Sequence, residues 1–402
     1  MTTAGKAPVG GAQFGAGLND SASSEQGAGG SDGVHIDTES PEQVLPAGDA
    51  APDTDARDAA TNTPQALPRV WVLLGEGAGG NAQMIALADA LGWPYETRQL
   101  SWNALNHLPN PVLGAHAFTL DRQADQLAPP WPDLVIAASR RSAPIARWIK
   151  KRSGGRTRLV HLLHAQMPLH HFDLVVTLDQ FRVPEAPNVQ RNVLPLNVIA
   201  EDQQATAAAR FGQRLAGLPR PWIAVMVGGD SSSYTFDAET AARLGAQANA
   251  AAHAAGGSLL VSTSPRTPQA AAEALAAAID APADIYRWRP HDLDNPYAAY
   301  LALADRFIVT ADSASLPAEA AATGRPVTLF EWAPDKNVRR PSGLLAALHR
   351  RLVYAGWLKP RRDFSAFHER LRATGLVDAD PPARPPADMA TTVARIRALF
   401  AD

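Results

Sequence analysis

The stretch "VTADSASLPAEAAATGRPV", residues 309–327, holds the end of one strand, a polar loop, a helix and the start of another strand. Residues 308–310 are β-branched and typical of a buried strand, and residues 314–323 are rich in alanine, the strongest helix former. Gly324 is placed to end that helix, and an apolar run follows it. The stretch therefore predicts a strand, loop, helix and strand of an α/β fold.

The loop of this unit is polar, with Asp312, Ser313 and Ser315 at the point where the strand gives way to the helix. A helix begins with unpaired N–H groups and a positive dipole end, which attract phosphate. Glu319 lies too far into the helix to be a cap, and its carboxylate can accept hydrogen bonds from sugar hydroxyls. The alternative is that Ser313 only caps the helix and Glu319 is a solvated acid.

Length and composition set the class of protein. The 402 residues, of which 46% are hydrophobic, are enough for two domains with cores of their own. The sequence has no cysteine, which excludes disulfides, thiolate nucleophiles and cysteine-bound metals. A cytoplasmic location is expected from this, together with the absence of a recognisable signal peptide or apolar span.

Charge is unevenly distributed along the chain. The net charge is −3, but residues 1–66 hold ten acidic residues against Lys6 and Arg57. The same segment is dominated by Gly, Ser, Ala, Pro and Asp and has no apolar periodicity. It is therefore predicted to be a disordered acidic tail.

From Arg69 onward, short apolar runs alternate with helical patterns, which predicts doubly wound parallel sheets. The pattern restarts after an alanine-rich segment, so we expect two Rossmann-like domains facing a cleft, with ligands at the carboxyl ends of the strands. The expected segments are a tail (1–66), an acceptor-side domain (67–200), a linker (201–220), a nucleotide-sugar-binding domain (221–335) and a helical extension (336–402).

Each predicted domain begins with a strand and a glycine-rich turn. In the first, "GEGAGGNAQ", residues 75–83, has the glycine spacing of a dinucleotide-binding turn, so a nicotinamide enzyme and a simple tight turn both stay open. In the second, Gly228 and Gly229 would let a diphosphate approach, with Ser231 beside them. Arg266, in the loop after the next strand, could neutralise a phosphate, although a surface arginine is an equal alternative.

Other ligand classes find less support. No spacing of histidine or acidic residues indicates a metal site, so neither a metal nor a cofactor is expected. The mild charge of residues 67–402 and the lack of a nucleic-acid motif argue against a nucleic-acid partner. The basic stretch 140–158, which contains Trp148, indicates either the solvent-exposed face of a helix or a contact to an anionic membrane.

With these residues in hand, the second half resembles the nucleotide-binding domain of GT-B glycosyltransferases. The run from "DIYRW" (284–288) through "NPY" (295–297) to "TGRPV" (323–327) is similar to the stretch that binds UDP in the lipid-linked muramoyl-pentapeptide N-acetylglucosaminyltransferase. The resemblance implies that Glu319 binds ribose hydroxyls. It implies that Ser313 and Ser315 bind the diphosphate, with the Gly228–Gly229 turn facing the phosphates.

Residues 69–332 more specifically resemble the ELM-type family, named for plant mitochondrial fission, through "GGNAQ", "RRSAPIARWI", "FDLVV", "STSPRTP" and the opening stretch. The chain departs from the family pattern in the acceptor-side domain. The family usually has His where Gly80 stands, Gly where Ser139 stands and Pro-x-His-Asp at residues 177–180. A non-catalytic fission scaffold that kept the nucleotide fold is therefore an alternative.

Together these observations predict a GT-B-like protein that transfers a sugar from a nucleotide-diphosphate sugar to a lipid-linked or envelope acceptor. The protein is expected to bind the inner membrane peripherally, if it binds a membrane. A nucleotide-sugar 2-epimerase is the closest enzymatic alternative. The expected site residues are Glu76 and Asp179 as candidate bases; Gly228, Gly229, Ser231, Ser264, Arg266, Asn295, Asp312, Ser313, Ser315 and Glu319 for the nucleotide-sugar; and Gly77, Gly79, Gly80, Gln83, Arg140 and Arg141 for the acceptor-side loop.

Overall fold

A computed structural model describes residues 67–196, 201–231, 234–333, 343–358 and 364–401. The predicted acidic tail, residues 1–66, lies outside the described residues. Two separate parallel sheets form the described part of the chain, so the predicted α/β architecture of two doubly wound domains is confirmed.

The first sheet has six strands in the order β2-β1-β3-β4-β5-β6, and every neighbouring pair is parallel. Its two central strands, β3 and β4, are buried along their whole length or nearly so, as expected where helices cover both faces. The strands are β1 Val70–Leu74, β2 Tyr95–Gln99, β3 Leu134–Ala138, β4 Arg158–Leu162, β5 Leu174–Thr177 and β6 Val189–Arg191.

The second sheet has five parallel strands in the order β11-β10-β7-β8-β9. Its chain order reverses at β7, which has β8 on one side and β10 on the other, and such a switch point is where open sheets bind ligands. The strands are β7 Trp222–Met226, β8 Ser258–Ser262, β9 Ala283–Tyr286, β10 Arg306–Thr310 and β11 Val327–Phe330.

Helices cover the sheets and complete their cores. They are α1 Ala78–Leu91, α2 Asn110–Leu113, α3 Ser139–Arg152, α4 Glu201–Leu215, α5 Ala238–Ala255, α6 Gln269–Ala278, α7 Tyr297–Leu303, α8 Ser315–Ala322, α9 Gly343–Tyr354, α10 Phe364–Ala373 and α11 Asp388–Ala398. Short 3₁₀ helices occur at Ala104–His107, Leu169–His171 and Asp179–Phe181. As predicted, Gly324 follows α8 with a left-handed φ of +69°, which glycine adopts without strain.

Helix α1 begins earlier than the glycine-rich turn suggested. Gly77 O accepts hydrogen bonds from Gly80 N and Asn81 N, both at 3.0 Å, which starts the helix at the glycines themselves. Gly79, Gly80 and Gln83, expected in an acceptor-side loop, therefore lie in α1. Likewise, Arg140 and Arg141 lie in the first turn of α3.

The segments expected to be a linker and an extension pack on the two sheets. Leu215, at the end of α4, is fully buried in the core of the second sheet. Helix α10 adds Phe364, Phe367 and Leu371 to that core. Helix α11 instead places Ile396 in the core of the first sheet.

Candidate functional site

Three loops meet at the carboxyl edge of the second sheet, one each after β7, β8 and β10. Gly228 N donates a 2.7 Å hydrogen bond to Thr310 Oγ1, which ties the loop after β7 to the last residue of β10. Gly228 O accepts from Ser264 Oγ at 2.6 Å and also from the Thr267 hydroxyl. The predicted site residues Gly228 and Ser264 are therefore brought together.

Asp312 is the buried centre of this edge, with 1% of its surface exposed. Its Oδ2 atom accepts a 3.1 Å hydrogen bond from Gly229 N and lies 2.6 Å from Arg266 Nη2. Arg266 also donates to Asp230 O at 2.9 Å, and its side chain is 40% exposed. A charged group this deeply buried requires an opposite charge and hydrogen bonds. The arginine and the glycine amide supply them at Oδ2, whereas Oδ1 is buried without a hydrogen-bond partner among the described residues.

The two glycines are required by the packing of the loops on one another. A Cβ atom at Gly228 would lie 2.2 Å from Asp312 Oδ1. At Gly229, where φ is +155°, a Cβ atom would lie 2.1 Å from Arg266 O. The space that a side chain would take at each position is thus filled by the neighbouring loop, a reason for glycine that the sequence did not reveal.

Glu319 lies on α8, partly buried, and its Oε2 atom accepts a 2.5 Å hydrogen bond from Tyr297 Oη at the start of α7. Burial raises the pKa of Glu319 to about 7, and the bond from Tyr297 opposes that rise. Burial and the adjacent carboxylate raise the pKa of Tyr297 well above its usual value, so the phenol stays protonated and donates. Oε1 accepts no hydrogen bond from any of the described residues.

The remaining predicted residues of this site have different surroundings. Ser313 Oγ is buried and has no hydrogen-bond partner among the described residues, whereas Ser315 is exposed at the first position of α8. Asn295 Oδ1 accepts a 3.0 Å bond from Tyr297 N and so orients the start of α7. Ser231, on the loop after β7, donates its backbone N–H to Tyr234 O at 2.9 Å.

Helix α10 brings a histidine to this edge that sequence reasoning missed. His368 is 1% exposed, and its Nδ1 atom lies 3.5 Å from Glu331 Oε1, just beyond β11. Burial lowers the pKa of His368, while Glu331 opposes the shift. Arg372 pairs with the other oxygen of Glu331 at 2.8 Å. No local pattern indicated this contact, because α10 lies far along the chain from β11.

On the first sheet, Glu76 and Arg141 form an ion pair between the turn after β1 and the first turn of α3. Arg140 turns the other way and donates to Leu108 O at 2.7 Å and to Asn106 O. Both predicted arginines of the acceptor-side loop therefore have protein partners.

Asp179, the other candidate base, lies between two arginines. Its Oδ1 atom is 3.0 Å from Arg191 Nη1, and its Oδ2 atom is 3.6 Å from Arg370 Nε on α10. These residues line an open cavity of about 520 Å³ with Arg182 and Glu369. Asp179 thus joins the first sheet to α10, and its role as a base stays a prediction.

The backbone conformation of Ser139 explains why glycine suits this position, where the chain departs from the family pattern. Its φ is +71°, a left-handed conformation that costs less for glycine than for any residue with a Cβ atom. Ser139 O lies 2.9 Å from Nε2 of His161, and burial lowers the pKa of His161 to about 4. A neutral imidazole donates its proton from Nε2 to that carbonyl, so the contact stabilises the turn.

The described part of the chain has neither a metal-binding cluster nor a membrane-spanning helix. Within residues 67–196, 201–231, 234–333, 343–358 and 364–401, no cluster of three or more His, Asp or Glu side chains could hold a metal ion. Over the same residues, no helix combines the length and apolar character that a membrane span needs.

Among solved structures, the chain is similar to the S. aureus MnaA–UDP co-structure, with a TM-score of 0.43 and 9% identity over 83% of this chain and 97% of that one. It is also similar to a glycosyltransferase from Rickettsia africae, with a TM-score of 0.42 and 10% identity over 84% of this chain and all of that one. Likenesses this distant do not assign a ligand, which has to be inferred from the side chains of this chain.

Two sequence relatives are closer. An uncharacterised protein of Rickettsia prowazekii, RP120, is 27% identical over 303 residues, which cover 67% of this chain and 84% of that protein. The mitochondrial fission protein ELM1 of Arabidopsis thaliana is 28% identical over 218 residues, 49% of this chain and 51% of the plant protein. Residues 78–394 match the family described as Mitochondrial fission ELM1, and the chain belongs to that family.

Proposed function

We propose that the second sheet binds a nucleotide-diphosphate sugar at its carboxyl edge and that the protein transfers the sugar to an acceptor held beside the first sheet. The observation that carries this proposal is the Glu319 carboxylate. It is partly buried, its partner Tyr297 is uncharged, and one of its oxygens accepts no bond from the described residues. A carboxylate in that setting is suited to accept the two hydroxyls of a ribose.

The loop before α8 suits the diphosphate in this arrangement. The first N–H groups of a helix have no intrahelical partners, and they carry the positive end of the dipole. Ser313 Oγ lies buried in this loop without a partner among the described residues. The exposed part of Arg266, held in place by Asp312, provides a cation for the phosphates and for the charge that develops as the diphosphate leaves.

For the acceptor, the candidate bases remain Glu76 and Asp179. Each has an arginine partner that holds the carboxylate in place, and substrate binding would have to displace or share that contact. Substituting each by its amide, Glu76→Gln and Asp179→Asn, separates them, because only the residue that removes the acceptor proton should lower kcat strongly while nucleotide affinity is kept.

The binding part of the proposal is tested by calorimetric titration of the full chain with UDP, GDP, ADP and CMP and with their sugars. With the nucleotide that binds, Glu319→Ala should cost about 2 to 4 kcal/mol of affinity, because a charge-assisted pair of hydrogen bonds is lost. Glu273→Ala is the matched control, since Glu273 is an exposed acid on α6 of the same domain. Equal affinities for wild type and a folded Glu319→Ala protein would refute the ribose assignment.

The reaction is tested separately by following products from the bound nucleotide-sugar. Release of nucleotide coupled to a glycosylated acceptor supports transfer, whereas a change of configuration at the sugar C2 without an acceptor supports the epimerase alternative. Tight nucleotide binding with no turnover under either condition favours the non-catalytic scaffold. Gly80 and Ser139 stand where the family pattern has His and Gly, which is the reason to keep this outcome in view.

A further inference from the structure

Exposed apolar side chains are concentrated on one segment near the end of the chain. In α9, Leu344 and Leu345 are 88% and 70% exposed, and Leu348 is exposed on the same side. Two more exposed apolar side chains, Trp357 and Leu358, follow the helix directly. Their exposure is unusual because large apolar side chains seldom cluster on a surface without a partner.

A second group of exposed apolar residues lies on the first sheet domain, in the segment formed by the 3₁₀ helix Ala104–His107 and α2. Leu105, Leu108 and Val112 all point to the surface there. Arg140 Nη1 donates to Leu108 O at 2.7 Å, so this segment is fixed against the start of α3.

The end of α9 contacts the second group. A Cβ atom at Gly356 would lie 2.2 Å from Gln166 O and 3.1 Å from Pro111 Cδ, which places the turn after α9 directly on α2. Tyr354 Oη accepts a 3.1 Å hydrogen bond from Leu169 N and anchors the end of α9 to the same domain. The exposed apolar side chains of residues 104–112 and 344–358 are called the apolar patch below.

The charges around the apolar patch indicate its partner. Residues 104–118 and 343–358 contain no Asp or Glu, although 40 of the 402 residues of the chain are acidic. Arg351 is exposed on α9 on the same side as Leu344 and Leu348, seven and three residues before it. Apolar side chains with a tryptophan, an arginine on the same side and no acid in the same segments have the chemistry of a helix that lies on an anionic bilayer. Two copies of the chain meeting through this patch would bring like charges together with no acid to pair them.

From this we infer that the apolar patch docks the protein on the surface of an anionic lipid bilayer, with the leucines of α9 inserted among the headgroups and Arg351 contacting lipid phosphates. The docking does not depend on the proposed transfer reaction. It would hold the carboxyl edge of the first sheet, where Glu76 and Arg141 lie, close to the lipid.

The basic stretch 140–158, the membrane contact expected from sequence, suits this role less well. Trp148 packs edge-on against Trp131 with ring centroids 5.6 Å apart, and both partly buried rings pack against the core of the first domain. Lys150 is paired with Asp173 at 2.7 Å. Trp148 and Lys150 therefore already have partners within the protein and are less available for contact with lipid.

The test is flotation of the full chain with vesicles of phosphatidylcholine and phosphatidylglycerol, compared with vesicles of phosphatidylcholine alone. Wild type should float with the anionic vesicles. Leu344→Glu combined with Leu345→Glu should reduce the bound fraction by about tenfold or more, because two inserted apolar side chains are replaced by charges that the lipid repels. Leu293→Glu is the matched control and should float like wild type, since Leu293 is 86% exposed but lies outside the patch.

Three outcomes would overturn the inference. One is flotation of the folded double variant at the wild-type level. Another is loss of flotation in Lys151→Glu combined with Arg152→Glu but not in the leucine variant, which would assign the contact to the basic stretch. The third is wild type that stays unbound but elutes as a dimer that the leucine variant disrupts, which would identify the patch as an interface between copies. Circular dichroism on each variant verifies that the fold is intact.

Discussion

Tyr297 Oη donates a 2.5 Å hydrogen bond to Glu319 Oε2, and this bond joins the first residue of α7 to the middle of α8. The phenol takes one oxygen of the carboxylate and fixes its orientation at the carboxyl edge of the second sheet. Because the partner is a neutral donor, the negative charge of Glu319 is not cancelled. Both the stability of the fold and the binding of a ligand should therefore depend on the ionisation of this one carboxyl group.

The ionisation of Glu319 should contribute to the pH dependence of the free energy of unfolding. Its pKa in the folded protein is about 7, above the usual 4.5, so between these values the folded chain holds a proton that the unfolded chain releases. The free energy of unfolding contributed by this group therefore falls as pH rises through that window. As pH rises from 4.5 to above 7, the free energy of unfolding of Glu319→Gln should increase by about 2 to 3 kcal/mol relative to that of wild type. Urea unfolding of both proteins across this range measures the difference. Parallel pH profiles of the two proteins would contradict the prediction.

Removing the phenol should act on the same group from the other side. Tyr297→Phe deletes the bond that lowers the pKa of Glu319, so that pKa should rise further and less carboxylate should be ionised at neutral pH. Nucleotide affinity should fall by about 0.5 to 1.5 kcal/mol and recover as pH is raised. Tyr95→Phe, which removes a 2.7 Å bond to Asp89 in the other domain, is the control. A loss that does not vary with pH would show that Tyr297 acts on the ligand directly.

The contact of Gly228 with Asp312 predicts opposite effects for two glycine substitutions. Gly228→Ala would place a Cβ atom 2.2 Å from the buried Asp312 carboxylate and should destabilise the protein by about 1 to 3 kcal/mol. Gly212→Ala, in α4 with no atom within 4 Å of the new Cβ, should stabilise it by about 0.5 to 1 kcal/mol. Chemical denaturation gives both values. An unchanged midpoint for Gly228→Ala would mean that the loops after β7 and β10 can separate.

The left-handed conformation of Ser139 predicts a stabilising substitution. Ser139→Gly should raise the free energy of unfolding by up to about 1 kcal/mol, because glycine adopts a φ of +71° without the clash of a Cβ atom. Ala250→Gly, at an exposed position inside α5, should do the reverse, since glycine within a helix costs backbone entropy. Destabilisation by Ser139→Gly would show that the serine side chain contributes more than the strain costs.

Local sequence determined the elements of the second domain and much of their order. The β-branched run before Asp312, the alanines of α8 and the glycine at 324 predicted a strand, a helix and a helix end, and all three occur where expected. These signals are readable because they depend on neighbours within one turn or one strand. The alternation of apolar runs and helical patterns does not indicate strand β2, "YETRQ", because it is a polar, largely exposed edge strand without an apolar run. Helix α1 begins inside the glycine-rich turn 75–83 although Gly79 and Gly80 have low helix propensity, because the hydrogen bonds to Gly77 O form its first turn.

Only the tertiary structure decided which side chains meet. The sequence indicated a polar edge containing Arg266, Asp312 and Glu319, but it could not show that Arg266 pairs with the buried Asp312. It also could not show that Tyr297, 22 residues before Glu319, fixes that carboxylate. Which side chains pair depends on the order of the strands in the sheet, and the raised pKa of Glu319 depends on its burial. Strand order and burial are properties of the packed chain, because they bring together residues that are distant in sequence and become neighbours only after folding.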